Sequence, residues 1–256
     1  MEYNSFYKTA GQGKTLVLLH GFLESCEVWN DTISALKTDF KLIAPDLLGH
    51  GKTPAMADIH TMEMMADAVF SVLKREKIDK ATFIGHSMGG YVTLAFAEKY
   101  LQLLDGIILM NSTPLPDSDE KKTNRERVIE AVEQDKTFFI RNVVTNLFSD
   151  ENKTQMKKQI EEIIEIAQQT PNQGIKAASL GMKERPDRTD VLKKLSVPVH
   201  FIIGKNDALI PHKELITLAE NLQISYSLLD GGHMSYIENQ SETIEILKRT
   251  ATKLTS

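Results

Sequence analysis

The stretch KATFIGHSMGGYVTLAFAEKY, residues 80–100, decides the fold. Its apolar start predicts a short buried strand, and the segment after the glycines has the apolar pattern of a helix. Between them, residues 85–89 match G-x-S-x-G, and Gly90 extends the run of small residues. Small residues at these positions allow a strained strand-to-helix turn, from which Ser87 projects above the carboxyl edge of the sheet. A plain turn without chemistry is the alternative interpretation.

Short apolar runs bounded by turn residues recur along the chain, and each is too short for a helix. They predict strands buried on both faces, at residues 15–20, 41–46, 81–85, 106–111, 199–204 and 224–230. Helical patterns separate them, at residues 28–38, 61–76, 88–101, 211–222 and 239–254. This alternation predicts an α/β fold, with a mostly parallel, doubly wound sheet. Residues 4–10 are expected to add one antiparallel edge strand.

The interval from residue 115 to residue 190 contains no predicted strand. It shows helical patterns instead, at residues 119–135, 136–149, 152–170 and 172–187. We expect a helical cap, or lid, inserted between two core strands. The core domain then comprises residues 1–114 and 191–256. Helices that only thicken the core are the alternative.

Composition restricts the classes of partner. The chain of 256 residues has a formal net charge of -5, which argues against a nucleic-acid partner. No apolar run is long enough to span a membrane, and the first residues lack the pattern of a signal peptide. One cysteine, Cys26, leaves no internal disulfide to form, so a cytoplasmic location is expected. We expect a small-molecule substrate and a monomer or homodimer.

No cysteine or histidine cluster has the spacing of a zinc site, and no G-x-G-x-x-G opens a helix after a strand. The sequence therefore predicts no metal and no organic cofactor.

A nucleophilic serine needs a base, and the base needs an acid that orients it. Asp207 follows the strand at residues 199–204, and His233 follows the last predicted strand, so both come after Ser87 in the expected order. His233 is preferred over the other six histidines because it alone occupies that place. Asp230 is the rival acid, and capping the next helix is the alternative role for Asp207. Asn111, at the end of the strand before the insertion, cannot act as the acid.

Two backbone N–H groups are candidates for an oxyanion hole. Met88 begins the helix after the serine, and Phe22 follows the strand at residues 15–20 in the sequence HGF. An ordinary glycine turn is the alternative for that second loop. Apolar residues are candidates for a substrate pocket, with core packing as the alternative for the two phenylalanines: Leu115, Phe138, Phe139 and Met234.

Five motifs in this order resemble the α/β-hydrolase fold superfamily: HGF (20–22), PDLLGHGKT (45–53), GHSMGGY (85–91), GKNDALIP (204–211) and GGHMSYIEN (231–239). The resemblance implies a triad of Ser87, Asp207 and His233, an oxyanion hole at Phe22 and Met88, and a cap at residues 115–190. Members of the superfamily usually open with two antiparallel strands, and this chain has room for one.

The closest general resemblance is to small bacterial carboxylesterases with a helical cap. It implies a serine hydrolase that cleaves a carboxylic ester or thioester of a small, largely apolar substrate. A C–C bond hydrolase or an eliminating lyase, similar to the menaquinone-pathway succinyl-cyclohexadiene carboxylate synthase, is the alternative. That enzyme carries an arginine where this chain has Tyr91. Five arginines near the insertion could bind an anion, although a solvated helix face is their alternative role: Arg125, Arg127, Arg141, Arg185 and Arg188. A ligand-sensing signalling protein is the third reading.

Overall fold

The fold is built on one seven-stranded sheet. A computed structural model describes residues 3–254 of the chain. The strands are β1 Tyr7–Ala10, β2 Thr15–Leu19, β3 Lys41–Pro45, β4 Ala81–His86, β5 Leu104–Met110, β6 Val199–Gly204 and β7 Ser225–Leu229. Their order in the sheet is β1-β3-β2-β4-β5-β6-β7, and all neighbours are parallel except β1 and β3. The predicted mostly parallel sheet and its antiparallel edge strand are therefore confirmed.

The central strands are the continuous apolar runs of the sequence. Every residue of β2 and β4 is buried, because helices cover both faces of a parallel sheet. The sequence also predicted that the last apolar run, residues 224–230, is a strand buried on both faces, and the prediction of burial is wrong. Tyr226 and Leu228 of β7 are exposed, because β7 pairs with β6 alone and forms an open edge of the sheet.

Eleven α-helices flank the sheet within residues 3–254. They are α1 Asn30–Leu36, α2 Met62–Arg75, α3 Met88–Tyr100, α4 Asp119–Thr145, α5 Asp150–Lys153, α6 Lys157–Gln168, α7 Asn172–Lys183, α8 Thr189–Lys194, α9 His212–Asn221, α10 Ser235–Glu238 and α11 Gln240–Leu254. The core beside α2, α3, α8 and α9 covers one face of the sheet, and the core beside α1 and α11 covers the other. No helix in the described part of the chain is long and apolar enough to cross a membrane.

Helices α4 to α7, here called the inserted helices, lie between β5 and β6 in the chain. The first two predicted helical segments form the single long helix α4, which kinks at Asp135 with φ -155° and ψ 90°. The Asp135 carboxylate accepts a hydrogen bond from the Phe138 backbone N–H at 2.9 Å, so it caps the second half of the helix. The predicted break between residues 135 and 136 therefore corresponds to a kink and not to a loop.

Helix α7 fixes the inserted helices to the core through backbone contacts. The His60 N–H donates to the Ala177 carbonyl oxygen at 2.9 Å. A β-carbon at Gly181 would overlap the His60 carbonyl oxygen, and one at Gly174 would overlap the Gly49 carbonyl oxygen. The predicted boundary at residue 190 falls inside α8, whose Leu192 packs in the core, and the division into two domains stays a prediction.

The replacement Gly181→Ala tests this backbone contact. We expect it to lower the free energy of unfolding by about 1–3 kcal/mol, because the methyl group meets a carbonyl oxygen that cannot rotate away. The gain in helix propensity, about 1 kcal/mol, does not offset this overlap. Urea denaturation measures the difference, with Gln173→Ala at an exposed position of the same helix as the control. A Gly181→Ala variant at least as stable as the original protein would contradict the contact.

Candidate active site

Ser87 occupies a strained turn between β4 and α3. Its φ of 50° and ψ of -115° lie in a region that residues with a β-carbon avoid. The turn is held because its flanking residues have no side chain. A β-carbon at Gly85 would lie 2.6 Å from the Gly89 carbonyl oxygen, and one at Gly90 would overlap the Ser112 side chain. The Ser87 N–H also donates to the Met110 carbonyl oxygen at 3.0 Å, so the sheet continues into the turn.

The His233 imidazole joins Ser87 to Asp207. Its Nε2 lies 2.7 Å from the Ser87 Oγ, and its Nδ1 lies 2.8 Å from the Asp207 Oδ2. A neutral imidazole satisfies both contacts, because Nδ1–H donates to the carboxylate and Nε2 accepts the serine hydroxyl proton. The structure thus brings together the three residues predicted as a triad, from the ends of three different strands.

Asp207 is a buried carboxylate with four hydrogen-bond donors. Besides His233 it accepts the backbone N–H groups of Leu209 and Ile210, at 2.8 and 3.0 Å, and the Asn111 Nδ2 at 3.0 Å. Burial raises the pKa of this carboxyl group, but its His233, Asn111 and backbone partners outweigh burial and lower the pKa overall. Asp207 is therefore held as the acceptor that fixes the His233 tautomer.

Asn111 has a role that sequence reasoning missed. Its Nδ2 donates to Asp207 and, at 3.0 Å, to the Gly232 carbonyl oxygen, next to His233 in the chain. The available signal was its place at the end of β5, beside the strand whose end carries Asp207. The residue cannot replace the acid, but it holds the acid and the histidine loop together.

The rival candidates lie elsewhere. The Asp230 side chain is 81% exposed and pairs with Lys205 at 3.0 Å, so it is a surface carboxylate. Four other histidines are engaged in their own local hydrogen bonds: His20 with Leu47, His50 with Leu48, His60 with Met56, and His200 with Ser225 and Ser227. His212 begins α9.

The predicted oxyanion donors follow two neighbouring strands. Met88 is the buried first residue of α3, after β4, and Phe22 follows β2, which pairs with β4. The loop of Phe22 is held by the Gly21 N–H, which donates to the Glu24 Oε2 at 2.6 Å, and by a positive φ of 65° at Leu23. Phe22 lines the same cavity as Ser87, and Met88 directly follows Ser87 in the chain.

A cavity of about 280 Å³ opens on Ser87 and His233. The second half of α4 and the segment just after it contribute an apolar wall, formed by Phe139, Val143 and Leu147. The first half of α4 and the residue before its cap contribute a polar wall, formed by Asp117, Lys121, Asn124 and Arg125. The kink at Asp135 separates the two walls, so one helix presents two different surfaces to the cavity.

Of the four predicted pocket residues, the structure places Phe139 in the cavity wall and the other three elsewhere. Phe138 is 70% exposed, because neighbouring residues of a helix point about 100° apart. Leu115 lines a separate depression beside α9. Met234 precedes α10 and is fully buried in the core. The predictions for Leu115, Phe138 and Met234 are therefore wrong.

Glu24 and His86 form a buried pair in the same cavity, which the sequence did not reveal. The His86 Nδ1 lies 3.2 Å from the Glu24 carboxylate, and its Nε2 lies 2.9 Å from the His233 carbonyl oxygen. Both ring nitrogens therefore face acceptors, which only the doubly protonated imidazole satisfies. The pair links the loop of Phe22 to the loop of His233.

The pKa directions agree with a charged pair. Burial lowers the pKa of the His86 imidazole, but the Glu24 carboxylate outweighs burial, so its pKa is raised overall. Burial raises the pKa of the Glu24 carboxyl group, and His86 with the Gly21 N–H outweighs burial, so its pKa is lowered. Both directions favour the charged forms of Glu24 and His86.

The inserted helices also reach the His233 loop. The His233 N–H donates to the Leu147 carbonyl oxygen at 2.8 Å. The Glu238 carboxylate accepts from the Ser149 N–H and hydroxyl, from the Asn152 amide, and from the Gly232 N–H, at 2.7 to 3.0 Å. One buried carboxylate thus ties the segment after α4 to the residue beside the histidine.

Among residues 3–254 no group of three or more His, Cys, Asp or Glu side chains is arranged to hold a metal ion.

The Glu24–His86 pair predicts a pH-dependent stability. The ordinary pKa values are 4.5 for the carboxyl group and 6.5 for the imidazole. As the pH falls below 4.5, Glu24 is protonated in the unfolded chain before it is protonated in the folded protein. As the pH rises above 6.5, His86 loses its proton in the unfolded chain before it does so in the folded protein. The free energy that the pair adds to folding is therefore greatest between these values. It declines as the pH rises through the raised pKa of His86 or falls through the lowered pKa of Glu24.

Urea denaturation of the original protein and of a double variant, Glu24→Gln with His86→Gln, measures this contribution at pH 5.5 and pH 9. We expect the difference in unfolding free energy to be larger at pH 5.5. A difference that is larger at pH 9 would mean that His86 is neutral in the fold. If the double variant does not fold, the NMR signals of the His86 ring nitrogens in the original protein report the protonation state of His86 instead.

Comparisons with known proteins agree with this architecture. A thermophilic esterase from Thermogutta terrifontis, solved with malate bound, superposes with a TM-score of 0.94 at 32% sequence identity, over 98% of this chain and 94% of that one. A pimeloyl-[acyl-carrier protein] methyl ester esterase from Aeromonas hydrophila is 25% identical over 247 residues, which cover 93% of this chain and 95% of that protein.

Some matches are local. An uncharacterized protein from Mycobacterium tuberculosis is 34% identical over 110 residues, and this stretch covers 43% of this chain and 32% of that protein. The chain therefore spans about a third of the length of that relative. The family match is much longer, because the sequence profile of the alpha/beta hydrolase fold covers residues 14–240. The chain belongs to the alpha/beta hydrolase fold family, as its five motifs predicted.

Proposed function

We propose that the protein is a serine hydrolase that cleaves a carboxylic ester of a small substrate through an acyl-enzyme. The observation that carries this proposal is the position of the His233 imidazole, 2.7 Å from a serine hydroxyl and 2.8 Å from a buried carboxylate. The three groups form one hydrogen-bonded chain, and Ser87 and His233 line a cavity with room for a small molecule. The esterases among its relatives support the same reaction type.

The reaction follows from this geometry. His233 Nε2 takes the hydroxyl proton as the Ser87 Oγ attacks the ester carbonyl carbon, and the carbonyl oxygen becomes an oxyanion. The N–H groups of Phe22 and Met88 stabilise that charge, and loss of one such donor costs about 10²–10³ in rate. The Asp207 carboxylate stabilises the imidazolium that forms.

The imidazolium then gives its proton to the leaving alkoxide, the C–O bond breaks, and an acyl–Ser87 ester remains. A water molecule gives a proton to His233 and attacks the acyl carbon. The acid leaves as Ser87 regains its proton. No electron acceptor is needed at any step, because the reaction is a hydrolysis.

In this proposal the inserted helices form a cap over the active site. Their apolar wall covers the acyl-binding side of the cavity with Phe139, Val143 and Leu147. The volume of about 280 Å³ is at the small end of ligand sites and favours a short acyl chain. The contacts of Leu147 and Glu238 with the His233 loop join this cap to the base.

Replacement of triad members tests the proposal. We expect Ser87→Ala to lower kcat for p-nitrophenyl butyrate by about 10⁴-fold or more, because the attacking oxygen is lost. Asp207→Asn is expected to lower kcat by about 10⁴-fold, since it stabilises the wrong imidazole tautomer. The matched control is Asp230→Asn, at the exposed rival carboxylate, which we expect to leave kcat unchanged.

Labelling with a fluorophosphonate identifies the nucleophile directly. Mass spectrometry of the digested protein is expected to find the phosphonyl group on Ser87, and the Ser87→Ala variant is expected to remain unlabelled. Undiminished ester turnover by Ser87→Ala, or a label on a different serine, would contradict the proposed mechanism.

A further inference from the structure

The polar wall of the cavity carries more positive than negative charge. Asp117, whose side chain is 1% exposed, pairs with the Arg125 Nε at 3.0 Å and with the Arg185 Nη2 at 2.8 Å. A single carboxylate therefore faces two guanidinium groups. Burial raises the pKa of Asp117, but the two arginines outweigh burial and lower it, so the carboxylate is ionised. One positive charge remains uncompensated in this cluster.

Lys121 adds a second positive charge to the same wall. It lies one helical turn before Arg125, and its ammonium group donates to the Leu209 carbonyl oxygen at 3.0 Å. Within residues 3–254 it has no carboxylate partner at ion-pair distance. The other carboxylate of the cavity, Glu24, is already matched by His86. The charges that line or adjoin the polar wall therefore sum to about +2.

Arg185 is held in place from several sides, although it lacks one partner. Its guanidinium carbon lies 3.9 Å from the centre of the Tyr91 ring, which lines the cavity, and its Nη1 donates to the Met182 carbonyl oxygen at 2.9 Å. The side chain is 3% exposed, and its Nε–H has no hydrogen-bond partner in the described residues. A buried cation that shares its only carboxylate is costly unless another anion approaches.

The other arginines near the insertion are balanced or solvated. Arg141 is half exposed and forms a two-pronged pair with Glu161. Arg188 is buried between Glu63 and Glu98. Arg127 is exposed and touches Asn124. Among these five arginines, only Arg125 and Arg185 share a single carboxylate, and that carboxylate, Asp117, belongs to the polar wall.

We propose that this polar wall binds a carboxylate carried by the substrate, so that the natural ester bears a second, anionic group. The inference rests on the proposed ester hydrolysis and names its substrate class. Lys121 and Arg125 are the specificity-determining residues, since both line the cavity. Arg185 adds a positive charge beside them, where Asp117 and the Tyr91 ring hold it. The apolar wall contacts the carbon chain between the ester and the carboxylate.

Matched pairs of esters test the proposal and distinguish the two places for the carboxylate. For the acyl side, p-nitrophenyl hydrogen adipate is compared with p-nitrophenyl hexanoate, with the uncatalysed rates subtracted. For the alcohol side, butanoyloxyacetate is compared with propyl butanoate in a pH-stat. We expect kcat/KM to favour the anionic member of at least one pair by about tenfold or more, since a charged hydrogen bond is worth about 1.5–3 kcal/mol.

The Arg125→Gln variant ties this preference to the polar wall. We expect the anionic-to-neutral ratio of kcat/KM to fall by about 10- to 100-fold, whereas Arg141→Gln, at an exposed site of the same helix, leaves the ratio unchanged. Lys121→Gln is the second variant if Arg125→Gln does not fold. A preference for the neutral ester in both pairs, or an equal ratio in Arg125→Gln and the original protein, overturns the proposal.

Binding of adipate separates this inference from the proposed hydrolysis. Calorimetry with the Ser87→Ala variant measures binding without turnover, and we expect the affinity to fall when Arg125→Gln is added and to stay when Arg141→Gln is added. If no ester is hydrolysed but this pattern holds, the proposed hydrolysis fails and the carboxylate site stands. If esters are hydrolysed but Arg125→Gln leaves the affinity for adipate unchanged, the proposed carboxylate site is wrong and the proposed hydrolysis stands.

Discussion

The conformation of Ser87 is the constraint on which the rest of the structure depends. A residue with a β-carbon at φ 50° and ψ -115° costs about 1–3 kcal/mol, and the surrounding structure must supply that energy. The bond from the Ser87 N–H to β5 and the absent side chains at Gly85, Gly89 and Gly90 hold the turn between the sheet and α3. The turn thereby fixes the direction in which the Ser87 Cβ projects, and the other groups of the site are placed relative to it.

Positioning of His233 involves far more of the chain than the triad. Its ring is fixed by Asp207, which is in turn held by Asn111, and its backbone is held by His86 on one side and Leu147 on the other. Glu238 adds a buried carboxylate that joins the residues after α4 to the same loop. The inserted helices therefore help to hold the base in its position beside Ser87.

Charge is distributed unevenly around the cavity, although the whole chain carries a formal net charge of -5. Glu24 and His86 compensate each other in the cavity, whereas Asp117 is shared by Arg125 of the polar wall and by the adjoining Arg185. In a buried site such local balances matter more than the net charge, because the effective dielectric constant is low and little salt screens them. The kink at Asp135 lies between the α4 residues of the charged surface and those of the apolar wall.

Sequence alone determined the order of strands and helices, since continuous apolar runs and helical spacing are local properties. It also determined Ser87, Asp207 and His233 as candidates, since each follows a strand in the family's order. It could not show that β7 lies at an open edge, or that Phe139 and not Phe138 faces the cavity, because both depend on which neighbour covers a surface. Glu24 with His86, and Asp117 with Arg185, are 62 and 68 residues apart and have no local signal. Only the tertiary structure brings such charges together, because the energy of a buried charge is set by its neighbours in space.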